Sequence, residues 1–110
     1  MYLIRFVVVL DDIVEKSGNH NVLIKKLDLA SLDSVRQFAA DVLKTEPKLH
    51  ILINNAGCAN FGKEMTKDGF EYQMQSNYFG HFLLTNLLIG MILIVIEFEM
   101  LRKKFNNLFN

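Results

Sequence analysis

Residues Ile51-Leu52-Ile53-Asn54-Asn55-Ala56-Gly57 decide the fold of this 110-residue chain. The stretch opens inside a nearly continuous apolar run from Leu49 to Ile53, which predicts a parallel strand covered on both faces. The two asparagines that follow can satisfy neighbouring backbone groups where a strand ends. Because Gly57 allows a sharp turn and leaves room for a ligand against the backbone, the pattern predicts a crevice at the carboxyl end of the strand.

A second strand and an amphipathic helix are predicted upstream of this stretch. Apolar residues over Val22–Leu29 predict the strand, with Asp28 at its end. Ser31 is a favourable N-cap, and Pro47 predicts where the helix has closed. The apolar face of that helix is predicted to comprise Leu32, Val35, Phe38, Ala39, Val42 and Leu43. Strands separated by a helix of this length predict βαβ units, so the predicted class is α/β.

The first residues allow two predictions. Tyr2–Leu10 is rich in β-branched and aromatic residues, which predicts a buried strand. A helix continuing into Asp11–Lys16 is the alternative, because Leu10, Ile13 and Val14 have helical spacing. Ser17-Gly18-Asn19 would then end that helix.

Composition narrows the classes of function. Lys and Arg together equal Asp and Glu, giving a formal net charge of zero, so no nucleic-acid partner is predicted. One cysteine excludes an internal disulfide and a cysteine-rich metal site. The three histidines lack metal-ligand spacing, so no metal site is predicted. With 110 residues and no repeat or linker, the chain is predicted to form one small domain, residues 1–110.

The run Phe82–Ile96 is almost wholly apolar. Its length of roughly fifteen residues falls short of the about twenty that a membrane-spanning helix needs. A buried helix is therefore the first interpretation, a membrane-surface segment the second and a span the third. Asp11 and Asp12 interrupt the apolar start too soon for a secretory signal, so the chain is predicted to be cytoplasmic or associated with an intracellular membrane, not secreted.

Together with Asn54–Gly57, further segments in the same order carry a family resemblance. They are Lys26–Leu29, Ser34–Ala39, Asp68–Glu71 and Asn77–Leu88. As a set, covering about residues 20–88, they resemble the short-chain dehydrogenase/reductase family, most closely its retinol-dehydrogenase branch. The resemblance implies a partial Rossmann-like three-layer fold with a small, mostly parallel sheet.

The same resemblance implies the residues of a site. NAD or NADP is the implied cofactor, with Asp28 accepting a hydrogen bond from the adenine amino group. Asn55, Ala56 and Gly57 correspond to the wall near the adenosine ribose. Asn77 corresponds to the asparagine of the catalytic tetrad, which in the family holds a water in the proton relay. Without the resemblance, Asp28 would be read as a solvated or capping carboxylate and Asn77 as a surface residue.

Two family features are missing from the sequence. No Thr-Gly-x-x-x-Gly-x-Gly turn is present to grip a pyrophosphate, which argues against tight cofactor binding by this chain. No Tyr-x-x-x-Lys is present either, since the residues four positions after Tyr2, Tyr72 and Tyr78 are Phe6, Ser76 and Phe82. Losing a positioned proton donor costs about a hundred- to ten-thousandfold in rate. The family implies oxidoreduction of lipophilic alcohols and aldehydes, but this chain alone is expected to be inactive.

A non-catalytic role is the alternative. The helix around Asn77 would then serve self-association or pairing with a full-length relative, or Phe82–Ile96 would contact a membrane.

In the family, two N-terminal strands separate the strands corresponding to Val22 and Leu49, and Tyr2–Leu10 would have to fill that gap. Gly80, inside a predicted helix at a cost of about 1 kcal/mol, predicts close packing at that position.

Overall fold

The computed structural model describes the backbone of residues 2–59 and 62–92, with side chains from residue 9 onward. Helix α1 spans Tyr2–Ser17 and helix α2 spans Leu32–Thr45. A short helix α3, Tyr72–Met74, leads into one π-helical turn, Gln75–Phe79, and helical residues continue from 80 to 92. We call residues 72–92 the long helix. The last part of the predicted apolar run, residues 93–96, lies outside the described ranges.

The first segment corrects one prediction. Residues Tyr2–Ser17 form a single helix, so the strand predicted over Tyr2–Leu10 is wrong and the helical alternative is confirmed. A helix satisfies its own backbone groups, whereas a strand needs a neighbour to pair with. Asp12 and Lys16 add an ion pair of 2.7 Å one turn apart. Gly18, at a φ of +66°, ends the helix, and its N–H donates to the Val14 carbonyl.

The predicted parallel sheet is not seen in the described part of the chain. There, Val22–Leu29 and Leu49–Ile53 run without strand pairing, and the β-type contact found is an isolated antiparallel bridge between Met65 and Glu71. Side chains expected to be covered are instead largely exposed, at 74% for Ile51 and 78% for Ile53. The physical reason is that a parallel strand forms only against hydrogen-bonded neighbours, which the described residues do not supply.

Helix α2 begins and ends where local chemistry predicts. The Ser31 hydroxyl accepts a hydrogen bond from Ser34 N at 3.3 Å, which confirms the N-cap. The N–H of Glu46 donates to the Val42 carbonyl at 2.9 Å, and the helix has ended before Pro47. Both ends of the helix are therefore closed by local hydrogen bonds.

The core forms between α2 and the long helix. Its buried members are Val35, Ala39, Val42, Leu84 and Leu88, with partly buried residues including Leu27, Leu29, Leu49 and Leu52 packed around them. Fully burying such a side chain stabilises the fold by about 1.5–3 kcal/mol. The predicted apolar face of α2 is thus confirmed at Val35, Phe38, Ala39 and Val42. Leu43 is 50% exposed. The predicted strand segments line the edge of this core without forming a sheet.

A polar network joins the start of α2 to the start of the long helix. Asp68 Oδ2 accepts hydrogen bonds from Leu32 N at 2.9 Å and Gln75 Nε2 at 2.8 Å. Gln75 is fully buried, and its Oε1 accepts from the Thr66 hydroxyl. The hydrogen bond from Leu32 N, followed by that from Gln75, lowers the pKa of Asp68 below its ordinary value of 3.8. The loop before the long helix is therefore anchored from both sides.

Candidate functional site

A cleft of about 1040 Å³ lies between α1, the segment around Asp28 and the long helix. Its walls are Leu10, Ile24, Lys25, Lys26, Leu27, Asp28, Leu29, Ala30, Ala56, Gly57, Cys58, Tyr72 and Ser76. Asp28, Ala56 and Gly57, three of the four residues predicted to contact the cofactor, line this one cleft. Asn55, the fourth, lies beside them in sequence but is not part of the wall. Asn77 is not part of the wall either, although its side chain bonds to Cys58.

Asp28 is held in place by its neighbours. Its N–H donates to the Ser34 hydroxyl at 2.9 Å, and its Oδ1 accepts from Ala30 N at 2.9 Å. This is the local side-chain-to-backbone bonding typical of an aspartate in a turn. Among the described residues, Oδ2 accepts no hydrogen bond. Asp28 therefore has a capping role and also keeps one carboxylate oxygen available to a donor on a ligand.

Three side chains of the long helix bond to residues 54–58. The Oδ1 atom of Asn77 accepts from Cys58 N, and its Nδ2 donates to Cys58 O, both at 2.8 Å. His81 Nε2 donates to Ala56 O at 2.6 Å. Asn54 Nδ2 donates to the Thr85 hydroxyl at 2.9 Å, and that hydroxyl donates to the His81 carbonyl. We call these three pairings the polar ladder.

Asn77 lies in the π-helical turn. The N–H of Gly80 donates to the carbonyl of Gln75, five residues earlier, which widens the helix at this point. Such turns are frequent at functional sites. The Asn77 side chain bonds to the backbone of Cys58, so it holds the end of the 54–58 segment. Its predicted role in holding a water stays a prediction.

Gly57 does not owe its place to a strained backbone, because its φ is not positive. A methyl group added at Gly57 would lie 3.6 Å from Asn77 Oδ1, an ordinary van der Waals distance. Gly57 lines the cleft, where the room for a ligand against the backbone was predicted.

Two buried polar atoms have no hydrogen-bond partner among the described residues. One is the hydroxyl oxygen of Ser76, a residue 8% exposed that lines the cleft, and the other is His81 Nδ1. Buried polar atoms are nearly always paired with protein, water or ligand. The Ser76 hydroxyl is thus suited to bond a polar atom inside the cleft.

The described residues contain neither a metal site nor a membrane-spanning helix. Within residues 2–59 and 62–92, no three His, Cys, Asp or Glu side chains are grouped so as to hold a metal ion. Over the same ranges, no helix combines the length and the apolarity that crossing a bilayer requires.

Three further residues of the site, His81, Thr85 and Ser76, were not predicted from the sequence. A signal for two of them was present, because Asn77, His81 and Thr85 recur every four residues in a mostly apolar helix. That spacing places polar side chains on one face. Ser76 gave no such signal, since nothing local distinguishes it from a residue exposed on a helix.

Comparison with known proteins gives consistent matches. Residues 6–95 match the short chain dehydrogenase family. Human retinol dehydrogenase 14 is 51% identical over 76 residues, covering 69% of this chain and 23% of the relative. Human retinol dehydrogenase 13 is 51% identical over 78 residues, covering 71% and 24%.

A solved structure is also similar. The crystal structure of an uncharacterized protein from Mycobacterium paratuberculosis aligns with a TM-score of 0.54 at 44% identity, covering 62% of this chain and 24% of that one. The chain spans about a quarter of the length of the proteins it matches.

Proposed function

Since the chain belongs to the short-chain dehydrogenase family, whose fold is Rossmann-like, we propose that it forms the adenosine-side wall of an NAD(P)-dependent oxidoreductase. The names of its relatives support retinol or another lipophilic alcohol or aldehyde as substrate. One observation carries the proposal: Asp28 comes from one segment and Ala56 and Gly57 from another, and all three line one cleft. In a whole enzyme, the bound cofactor would supply or accept the hydride.

The cleft fits the adenosine end of such a cofactor. Its walls are mostly apolar, with few polar groups, as in sites that take a flat base. The available oxygen of Asp28 can accept from an exocyclic amino group, and the Ser76 hydroxyl can bond a second polar atom. Asn55, Ala56 and Gly57 would hold the ribose side, as the family resemblance implies.

This chain alone is proposed to be catalytically inactive. Neither a glycine-rich pyrophosphate turn nor Tyr-x-x-x-Lys occurs in its sequence, so the diphosphate and the transferred proton have no recognised partner. Any binding of the adenosine part by these residues would therefore be weak. We expect no conversion of retinal or retinol by the 110-residue chain with NADH, NADPH or their oxidised forms.

We also propose that Val22–Leu29 and Leu49–Ile53 form parallel strands when neighbouring strands are supplied. The exposed apolar side chains Leu23, Ile51 and Ile53 support this, because a parallel sheet is covered on both faces. Amide hydrogen exchange over residues 51–53 should be slow in a longer protein that contains both segments and fast in this chain. Equal exchange in the two proteins would contradict the proposal.

Titration with adenosine 5′-monophosphate tests the cleft. In ¹⁵N-labelled chain, we expect amide shifts centred on Asp28, Ala56 and Gly57, with saturation only at millimolar nucleotide. Asp28→Asn should weaken binding, because the amide no longer accepts through a charged oxygen. Asp11→Asn, which removes a carboxylate from α1, is the matched control and should bind as the unmodified chain does. Shifts confined to other residues, or none at all, would refute an adenosine site.

A second function, a protein-interaction module, is favoured by one observation. Four large side chains lie exposed along the long helix: Met74 at 51%, Tyr78 at 58%, Phe82 at 60% and Ile89 at 41%. The rings of Tyr78 and Phe82 stack with centroids 6.3 Å apart. Apolar patches of this kind mark interaction surfaces. They lie beside the polar ladder, on the helix around Asn77 that was predicted to pair.

Sedimentation of the chain tests this second function. Phe82→Lys should lower self-association without unfolding the chain, because the side chain is mostly exposed. Lys63→Ala, outside the long helix, should leave the oligomeric state unchanged. A monomer at all concentrations that also fails to bind a full-length relative would rule the module out. Pelleting with lipid vesicles would instead support the membrane interpretation of Phe82–Ile96.

A further inference from the structure

We infer that His81 is a positioning residue that sets the register between residues 54–58 and the long helix, acting as a neutral imidazole protonated on Nε2. Only the effect of this register on cofactor binding rests on the proposed function, because Ala56 and Gly57 line the proposed cofactor cleft. The register itself is a property of the chain without any ligand.

The spacing of the polar ladder supports a register role. Its helix residues, Asn77, His81 and Thr85, are four apart, and their partners, Cys58, Ala56 and Asn54, are two apart in the opposite direction. From His81 to Thr85 the helix is α-helical and rises about 6 Å in four residues, and an extended chain advances about 6.6 Å in two. The two repeats are nearly equal, so successive pairs stay in hydrogen-bonding distance.

A slip of one residue would destroy this match. In an extended chain, successive carbonyls and side chains alternate in direction. Moving the segment by one position would turn the Ala56 carbonyl away from His81 and would change which residues face the cleft. The polar ladder thus decides that Ala56, Gly57 and Cys58, rather than Asn55, form this part of the wall.

The pair formed by His81 and Ala56 is the central one of the three, and its hydrogen bond determines which ring nitrogen of His81 carries a proton. A carbonyl oxygen only accepts, so the ring nitrogen 2.6 Å from Ala56 O must donate. The other ring nitrogen, Nδ1, is buried without a partner in the described part of the chain. A neutral ring protonated on Nε2 leaves only a lone pair there, whereas an imidazolium would bury an unpaired N–H. The neutral Nε2–H form therefore fits the site.

Two substitutions separate the hydrogen bond from the bulk of the ring. His81→Gln places an amide N–H near the position of Nε2 and can still donate to Ala56 O. His81→Leu keeps an apolar body of similar size but has no donor. If the ring merely fills space, the two variants should behave alike.

The test is amide exchange and histidine nitrogen spectroscopy on the ¹⁵N-labelled 110-residue chain. Long-range nitrogen–proton spectra should show His81 as the Nε2–H tautomer. His81→Leu should speed exchange of the Cys58 amide, the neighbouring pair, about fivefold, as expected for one lost hydrogen bond. The Val35 amide in the core should stay unchanged, and His81→Gln should restore slow exchange at Cys58.

Several results would overturn the inference. They are an Nδ1–H tautomer, equal behaviour of the Gln and Leu variants, or faster exchange at Cys58 and Val35 alike, which would indicate simple destabilisation. Titration with adenosine 5′-monophosphate separates this inference from the proposed function. If His81→Leu loosens Cys58 while the unmodified chain shows no nucleotide shifts, the register role stands and the cofactor proposal fails.

Discussion

Gly80 of the long helix lies directly against the backbone of Leu29. A methyl group on its Cα would be 2.6 Å from the Leu29 carbonyl oxygen and 3.0 Å from the Leu29 Cβ. This confirms the close packing predicted for a glycine inside a helix. Because Leu29 follows Asp28 directly, the contact also fixes the distance between Asp28 and the long helix.

We therefore predict that Gly80→Ala destabilises the chain. Alanine favours a helix by about 1 kcal/mol over glycine, but overpacking against backbone costs about 1–3 kcal/mol. Urea unfolding followed by circular dichroism measures the balance. Gly90→Ala is the matched control, since no atom lies within 4 Å of the added methyl, and it should stabilise by about 0.5–1 kcal/mol. If both variants shift stability in the same direction, the Leu29 contact is not decisive.

Asp68 should make the stability of the chain depend on pH in the acid range. Its pKa is lowered in the folded state, first by Leu32 N–H and then by Gln75. The folded state thus binds this proton less tightly than the unfolded chain does. The stabilisation of the fold by ionised Asp68 is therefore complete at pH values above the ordinary pKa of 3.8, and it is lost as the pH falls through the lowered pKa. Unfolding free energies measured below about pH 5 should fall less steeply for Asp68→Asn.

The control for Asp68 is Asp11→Asn, a carboxylate on the exposed side of α1. It should keep the acid dependence of the unmodified chain. Carbon-13 spectra of the Asp68 carboxyl give an independent check, because they follow its protonation directly. A midpoint at or above 3.8 would contradict the hydrogen-bond account of this site.

Removing the Asn77 amide should release Cys58. Asn77→Leu loses two hydrogen bonds, each with a net value of about 0.5–1.5 kcal/mol. Because both Asn77 and Cys58 are exposed, water replaces part of the lost hydrogen bonding, and we expect the free energy of unfolding to fall by about 1 kcal/mol. Asn77→Asp keeps the acceptor for Cys58 N but places a carboxylate oxygen beside Cys58 O. The Cys58 amide should therefore stay protected in Asn77→Asp and exchange freely in Asn77→Leu.

Asn86→Leu is the comparison for that experiment. Asn86 lies on the same helix, and within the described ranges its side chain bonds only to the Phe82 carbonyl of the preceding turn. Its replacement should change the free energy of unfolding by less than about 0.5 kcal/mol. An equal loss at positions 77 and 86 would mean that helix propensity, rather than the bond to Cys58, accounts for the effect.

Two apolar residues of α2 should respond very differently to truncation. Val35 is completely buried, so Val35→Ala should cost about 1–3 kcal/mol through lost contacts and a cavity. Leu43 is half exposed, and Leu43→Ala should cost less than about 1 kcal/mol although more atoms are removed. Thermal or urea unfolding distinguishes them. A larger loss at Leu43 would show that its side chain is covered in solution.

Helix α2 was predictable because its signals are local. Ser31, the apolar spacing and Pro47 all lie within or beside the element, and each acts over one or two turns. The exposure of Leu43 was not predictable from spacing, because it depends on how wide a stripe the long helix covers. Local rules thus give the element, and packing decides the edge of its buried face.

The first segment shows why a strand prediction failed. Its consecutive valines, Val7 to Val9, favour a strand by propensity. Propensity is a weak preference, however, and a strand is stable only beside another. A helix completes its hydrogen bonds within Tyr2–Ser17, so it forms without any neighbour. The missing pairing at Leu49–Ile53 has the same physical origin.

The candidate site was predictable only through the resemblance. Sequence alone gave Asp28 and Gly57 as unusual residues at the ends of apolar runs, but not their common cleft. The polar ladder joins residues that are 31, 25 and 19 positions apart. No local pattern specifies partners at those separations, because they depend on how the two segments meet after folding.

The near equality of the two repeats in the polar ladder also limits its length. A helix step of about 6 Å and an extended step of about 6.6 Å drift apart by roughly 0.6 Å with each added pair. The helix residues and their partners therefore stay in register over a few pairs, and the mismatch grows with each further pair. Beyond Thr85 and Asn54, the next positions would be Ile89 and Leu52, both apolar, so the series of polar pairs ends there at this end of the polar ladder.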